Sequence, residues 1–190
     1  GVVVTGEDGR VRSFQEKPAP ADALSDLVNV GVYCFDAAIF DEIPATGASD
    51  FGSEILPRLV AEGADVRAWT TDAYWSDIGS LDELVAANLA IASGAVDVEF
   101  EGDLIMDADC GLANVSPDSV ITGPVLVGPD AEIHSGATIT GPTVIGPRAV
   151  VDTGAVIDQA LVLPEAVLDA DSDTTGILGD VDGLDGVWLR

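Results

Sequence analysis

Three side chains in this 190-residue sequence sit where chemistry could be done. The first is Lys17, in FQEKP (14–18). Arginine occurs at six positions and lysine only at this one. A compact ammonium with rotatable donors suits a phosphate, and the neighbouring Glu16 offers an acceptor for hydroxyl groups. The plainer alternative is an exposed Glu–Lys pair where a strand ends before a proline turn, which contributes little. The second is Asp77, in YWSDIGS (74–80), which follows two aromatic residues and precedes a glycine turn. Either this carboxylate holds something, or it caps the helix that follows, as aspartates near helix starts often do. The third is His134, the single histidine, in AEIHSGA (131–137). An imidazole titrating near neutrality can act as a general base; the plainer reading is a solvent-facing side chain. Cys34 and Cys110 are far apart, share no metal-ligand spacing, and read as free thiols.

The elements that must position these groups change character along the chain. Residues 1–98 read as mixed α/β. VVVT and VRSF are β-rich runs joined by Gly6-Glu7-Asp8-Gly9, which predicts a hairpin. VNVGVYCF (28–35) is a nearly continuous apolar run, the pattern of a strand buried on both faces. Phe51 to Glu62 predicts a short helix with Asp50 at its start and Gly63 at its end, although Pro57 falls inside it. VRAWT (66–70) predicts another strand. Ser80 opens a helix, with Glu83 completing a capping box and Leu81, Leu84, Val85 and Leu89 forming its apolar stripe. Trp69 and Trp75 are expected in the core. Asp36, Asp41, Glu42, Asp82 and the acids of 97–109 are expected on solvated surface.

Residues 115–168 follow another rule. Stepping in sixes gives Val115, Ile121, Val127, Ile133, Ile139, Ile145, Val151, Ile157 and Leu163, all aliphatic. Four residues after them, and at Ser119 onward, lie Val125, Ala131, Ala137, Thr143, Ala149, Ala155, Leu161 and Val167, mostly small or β-branched. This hexapeptide repeat predicts a parallel β-helix of about three turns, ~18 residues each, with the aliphatic position inward. Residues 99–114 read as a linker. Residues 169–190 are acidic and Gly-rich but end in Val187-Trp188-Leu189, which suggests a cap over an open coil edge.

The formal charge of -27 argues against nucleic acid or an anionic membrane as partner. Hydrophobicity is too high for disorder. A folded domain with an acidic, solvated surface fits, and a salt-rich cytoplasm would screen that charge. No apolar run approaches the ~20 residues that span a bilayer, and GVVVTGEDG has the pattern of neither a signal nor a transit peptide. With no initiator Met, the chain is expected to be a piece of a longer one.

Taken together, GVVVTGEDGRVRSFQEKP, NVGVYCFD, DFGSEILPRLV and YWSDIGSLDELVAANLAI, in that order before a hexapeptide repeat, resemble the second half of the sugar-1-phosphate nucleotidyltransferases. The mannose-1-phosphate guanylyltransferases and glucose-1-phosphate adenylyl- and thymidylyltransferases look most similar. The resemblance implies part of a Rossmann-like α/β domain followed by a left-handed β-helix; periodicity alone does not show handedness. It implies that Glu16 and Lys17 contact the sugar and its phosphate, that Asn29 and Gly31 line the sugar pocket, that the backbone at Gly1 approaches the sugar, and that Asp77 holds a catalytic Mg²⁺. The implied partners are a sugar-1-phosphate, a nucleoside triphosphate and further copies of the chain, in the cytoplasm. The family's Gly-rich nucleotide loop and second metal aspartate do not occur in this sequence, so the expectation is the sugar-binding half of an active site, inactive alone. Two alternatives stand beside it: a non-catalytic oligomerisation subunit, and an acyltransferase of the hexapeptide-repeat kind that uses His134 as base.

Overall fold

The computed structural model describes residues 1–44, 50–99, 102–107 and 114–180. The chain forms two compact units, residues 1–75 and 76–190.

The first unit is built on the expected hairpin. Strand β1 (Val2–Thr5) pairs antiparallel with β2 (Val11–Gln15), Val2 opposite Gln15. The tight turn is closed by the Gly9 amide donating to the Gly6 carbonyl, and Gly9 sits at φ +75°. Extended segments flank both strands. The Val3 amide donates to the Leu27 carbonyl and the Asn29 amide to the Gly1 carbonyl; on the other side the Val11 amide donates to the Val66 carbonyl. The two segments predicted as strands, 28–35 and 66–70, each make only a single bridge, Val2 with Val28 and Arg10 with Arg67. This corrects both expectations. A strand buried on both faces needs neighbours along its length, and among the described residues 28–35 has strand pairing only at Val28 and Asn29. Val32 is accordingly 82 % exposed. Trp69, expected in the core, is 94 % exposed, and Trp75 is 46 % exposed.

A single helical turn, α1 (Ile39–Glu42), precedes the helix predicted over 51–62. That helix forms in two parts: a π-helical turn, Phe51–Ile55, running into α2 (Leu56–Ala61). Asp50 caps it, its carboxylate accepting from the Ser53 amide at 2.6 Å and the Ser53 hydroxyl at 2.8 Å. These donors hold the Asp50 carboxyl below its usual range. Pro57 falls in the first turn of α2, where its missing N–H costs nothing. Arg58 joins α2 to α1 through the Glu42 carboxylate at 2.9 Å, so Glu42 is an ion-pair partner as well as a surface acid.

The second unit starts with α3 (Leu81–Ala92). Its capping box forms: the Ser80 hydroxyl accepts from the Glu83 amide, while Glu83 Oε2 accepts from the Gly79 amide and the Ser80 hydroxyl, both at 3.0 Å. Strand β3 (Asp103–Asp107), within the segment read as a linker, pairs antiparallel with β4 (Val120–Val127). The rest is a parallel β-helix of about three turns. One face is the first part of β4 with β6 (Thr138–Thr140) and β9 (Val156–Asp158). A second is the last part of β4 with β7 (Thr143–Ile145), β10 (Ala160–Val162) and β12 (Gly176–Leu178). The third is β5 (Glu132–Ile133), β8 (Val150–Val151) and β11 (Val167–Leu168).

The inward ladders follow the six-residue step over most of its length. Ile121, Ile139 and Ile157 stack on one face, each at most 3 % exposed. Small residues fill the adjacent positions, with Ala137 and Ala149 fully buried. The step fails after Ile157. Pairing shifts from 18 residues per coil to 17, with Leu161 opposite Val144 and Val162 opposite Ile145. Val162 and Ala160 are therefore the fully buried residues, not Leu163 and Leu161 as the repeat predicts, and Val167 is 69 % exposed while Ala166 and Leu168 are buried. The corner that is Thr122-Gly123-Pro124 in the first coil is one residue shorter at Asp158-Gln159, and Gln159 takes the turn at φ +49°. Leu161 instead points outward with Leu126 and Val144, where Leu84, Val85 and Ala92 of α3 cover all three. Val187, Trp188 and Leu189, expected to cap the coil, lie outside the described residues.

Candidate functional site

Three of the implicated residues come together because of strand register. β1 begins opposite the end of β2, so Gly1 lies against Glu16, with Glu16 Oε2 3.2 Å from where a Cβ on Gly1 would stand. The Asn29 amide then binds the Gly1 carbonyl at 2.9 Å. Lys17 follows immediately and sits at φ +44°, where the chain leaves the hairpin before Pro18. Its side chain is exposed. Arg10, Arg12, Arg58, Arg67 and Arg148 all pair with carboxylates; Lys17 is the one described base that does not.

Asn29 is tied at both ends of its amide. Oδ1 accepts from the Gly31 amide at 3.1 Å, closing a turn in which Gly31 takes φ +75°, and Nδ2 donates to the Tyr33 hydroxyl at 2.6 Å. Tyr33, Phe35 and Phe51 form a ring cluster with centroids 5.0–5.8 Å apart. The Asp50 cap sets Gly52 beside the same pair of groups. The sequence reading missed Tyr33, Phe35 and Gly52. The signal available was the aromatic run in VYCF, which the strand expectation absorbed into a core.

Asp77 belongs to the second unit. It is exposed, and its backbone carbonyl accepts from the Gly79 amide at 2.6 Å. Its carboxylate makes no hydrogen bond among the described residues, because Ser80 and Glu83 already serve the first turn of α3. The capping alternative for Asp77 is thereby removed. Among the described residues no group of three or more His, Cys, Asp or Glu side chains is placed to hold a metal.

His134 stands on a coil corner of the β-helix. Nδ1 lies 3.0 Å from Asp152 of the next coil and Nε2 3.1 Å from Glu132. These two carboxylates, Asp152 first, raise the His134 pKa above its usual 6.5. With both ring nitrogens engaged by carboxylates, neither faces an open site, which disfavours the general-base reading.

An α/β segment followed by a parallel β-helix defines the class as an α/β protein with an appended solenoid. A family model described as nucleotidyl transferase matches residues 1–94, and that segment belongs to the family. A UTP–glucose-1-phosphate uridylyltransferase of Synechocystis is 35% identical over 162 residues, 72% of this chain and 41% of the relative. A mannose-1-phosphate guanylyltransferase of Mycobacterium tuberculosis is 31% identical over 142 residues, 72% and 38% of the two chains. A glucose-1-phosphate adenylyltransferase of Thermotoga maritima is 35% identical over 98 residues, 48% and 23%. The chain spans less than half the length of these relatives. No described helix is long and apolar enough to cross a membrane.

Proposed function

We propose that this chain supplies the sugar-1-phosphate side of a nucleotidyl-transfer site. The observation that carries the reading is Lys17. In a chain of 34 acids, the one lysine is left without a carboxylate partner among the described residues, at the end of a strand next to Glu16 and the Gly1 backbone. An ammonium that no carboxylate engages has all three donors open to a phosphate. In the reaction, a phosphate oxygen of the sugar-1-phosphate attacks the α-phosphorus of a nucleoside triphosphate in line, and pyrophosphate leaves. Catalysis of this kind is positioning plus charge stabilisation. Lys17 binds and orients the sugar phosphate, Glu16 accepts from sugar hydroxyls, and Asn29, Gly31 and the backbone at Gly1 shape the pocket.

Mg²⁺ neutralises phosphate charge in such reactions. Asp77 fits as one of its ligands, since Mg²⁺ takes one or two carboxylates together with phosphate oxygens and water, and this carboxylate is exposed and uncommitted. Asp77 belongs to no group of three or more candidate ligands among the described residues, so phosphate oxygens and water would supply most of the coordination. The base stays open. Relatives named for uridylyl, adenylyl and guanylyl transfer all resemble this chain, and the likeness singles out none of the three bases. The reading extends to a cytoplasmic, salt-adapted protein that self-associates through its β-helix.

The test is Lys17→Ala. A charge-assisted contact is worth about 1.5–3 kcal/mol, so hexose-1-phosphate affinity should fall roughly 10- to 150-fold by calorimetry, with the melting temperature unchanged. Unchanged affinity would return Lys17 to an ordinary surface role.

A further inference from the structure

Lys17 stands in a conformation that neither its own type nor its neighbour favours. Its φ is +44°, in the left-handed region that residues with a Cβ rarely take. Pro18 biases the residue before it towards extended backbone. Such a conformation persists only where the surrounding structure over-determines it. Lys17 belongs to a loop whose two ends meet on β1, where Val2 pairs with Gln15 on one side and bridges Val28 on the other. Within that loop the Asp22 amide donates to the Ala19 carbonyl and closes a short turn, Pro20–Asp22.

One side chain fastens this loop to the sheet. Gln15, the last residue of β2, donates from Nε2 to the Asp22 carbonyl at 3.0 Å and accepts at Oε1 from the Leu24 amide at 2.8 Å. The two partners fix the orientation of the amide, since the reverse would set donor against donor. Among the described residues these are the only hydrogen bonds that join residues 16–24 to the rest of the chain. They close a ring of chain in which Lys17 is the second residue after the strap.

We propose that Gln15 is a positioning residue that acts through Lys17: its amide holds the 16–24 loop shut against the end of β2 and so presents the ammonium to a sugar phosphate. A lysine side chain loses much freedom on binding, and a backbone fixed beforehand lowers that cost. The inference rests on the sugar-1-phosphate reading above.

The full 190-residue chain has a single lysine, so ¹⁵N-lysine labelling gives one side-chain-independent signal, the Lys17 backbone amide. Its order parameter is measured in concentrated KCl for the parent, Gln15→Ala and Gln15→Met. Calorimetry with α-glucose-1-phosphate and α-mannose-1-phosphate is run on these three, on Lys17→Ala and on Gln15→Ala/Lys17→Ala. The order parameter should stand at about 0.85 in the parent and fall below about 0.6 in both Gln15 variants. If the variants keep the loop closed roughly a tenth to a third of the time, affinity falls about three- to tenfold. Gln15→Met keeps most of the side-chain volume and carries the test should Gln15→Ala melt early. Once Lys17 is Ala, Gln15→Ala should add little, a non-additivity that a merely structural role would not produce. Where the parent binds and Lys17→Ala weakens it, an unchanged order parameter in both Gln15 variants, or a Gln15→Ala loss of equal size with and without Lys17, overturns the positioning role and leaves the sugar-1-phosphate reading standing. A parent that binds neither sugar phosphate, or a Lys17→Ala protein that binds as well as the parent, overturns both.

Discussion

Asp77 and Ser80 lie three residues apart at the start of α3, and substitution at the two should have opposite consequences. Ser80 accepts from the Glu83 amide at 3.2 Å and its hydroxyl donates to Glu83 Oε2 at 3.0 Å, so Ser80→Ala removes both contacts. Loss of a serine N-cap costs about 1 kcal/mol, within a range of ~0.5–2. The loss should register in the melting of the second unit, because α3 holds Leu84, Val85 and Ala92 against Leu126, Val144 and Leu161 of the β-helix. For a domain of roughly 100 residues that corresponds to about 4–8 °C. Asp77→Asn removes no hydrogen bond that the carboxylate makes among the described residues. Its effect on stability should stay within about 0.5 kcal/mol, while the shape of the side chain is kept and its charge lost. Thermal melts at fixed KCl read the first quantity. Mg²⁺ titration of nucleotide-sugar synthesis, in a form of the protein that carries the nucleotide-binding portion, reads the second. Ser80→Ala should melt early and keep its Mg²⁺ dependence; Asp77→Asn should melt normally and lose most activity. An Asp77→Asn protein that melts as early as Ser80→Ala, or that keeps its Mg²⁺ response, would refute the reasoning.

His134 is the only histidine, so one C2–H resonance reports its titration, and the midpoint should lie above 6.5; a value at or below 6.5 would mean the Asp152 and Glu132 contacts do not form in solution. Because the folded pKa is raised, the stability this pair adds is full below the unfolded pKa of about 6.5 and is lost as pH rises through the folded value. Asp152 is shifted down from 3.8, so its share is present above that value and fades as pH falls through the folded pKa. Gly146→Ala should destabilise the β-helix by roughly 1–3 kcal/mol, since its Cβ would stand 2.6 Å from Pro164 N and 2.8 Å from the Val162 carbonyl, all backbone; denaturant unfolding near parental stability would count against it. Melting temperature should climb steeply with KCl as the -27 charge is screened, and light scattering at high KCl should show a dimer or larger species; a flat salt response or a clean monomer would tell against salt adaptation or self-association respectively.

Much of this protein is local enough to be read directly. A six-residue step of aliphatic side chains places every sixth residue inward whatever lies around it, and so Ile121, Ile133, Ile139, Ile145 and Ile157 are buried as expected. The hairpin and the Ser80–Glu83 box are equally local, because each depends on a few residues whose donors and acceptors have no nearer partner. The coil slip was hidden because residues 161–163 are Leu-Val-Leu: a step of five or six lands on an aliphatic residue either way, and only pairing with Val144 and Ile145 on the neighbouring coil selects Val162. The same holds for 28–35. Its composition is that of a buried strand, but burial is a property of neighbours, and without strands beside it Tyr33 and Phe35 are left at a surface rather than in a core. The exposure of Trp69 has the same cause. The placement of Gly1, Glu16 and Asn29 at one corner, with Tyr33 bound to Asn29 and Gly52 opposite, depends on β1–β2 register and on a turn capped 21 residues further along at Asp50. Contacts between residues so far apart in sequence are set by the packed chain and carry no periodic trace in the sequence itself.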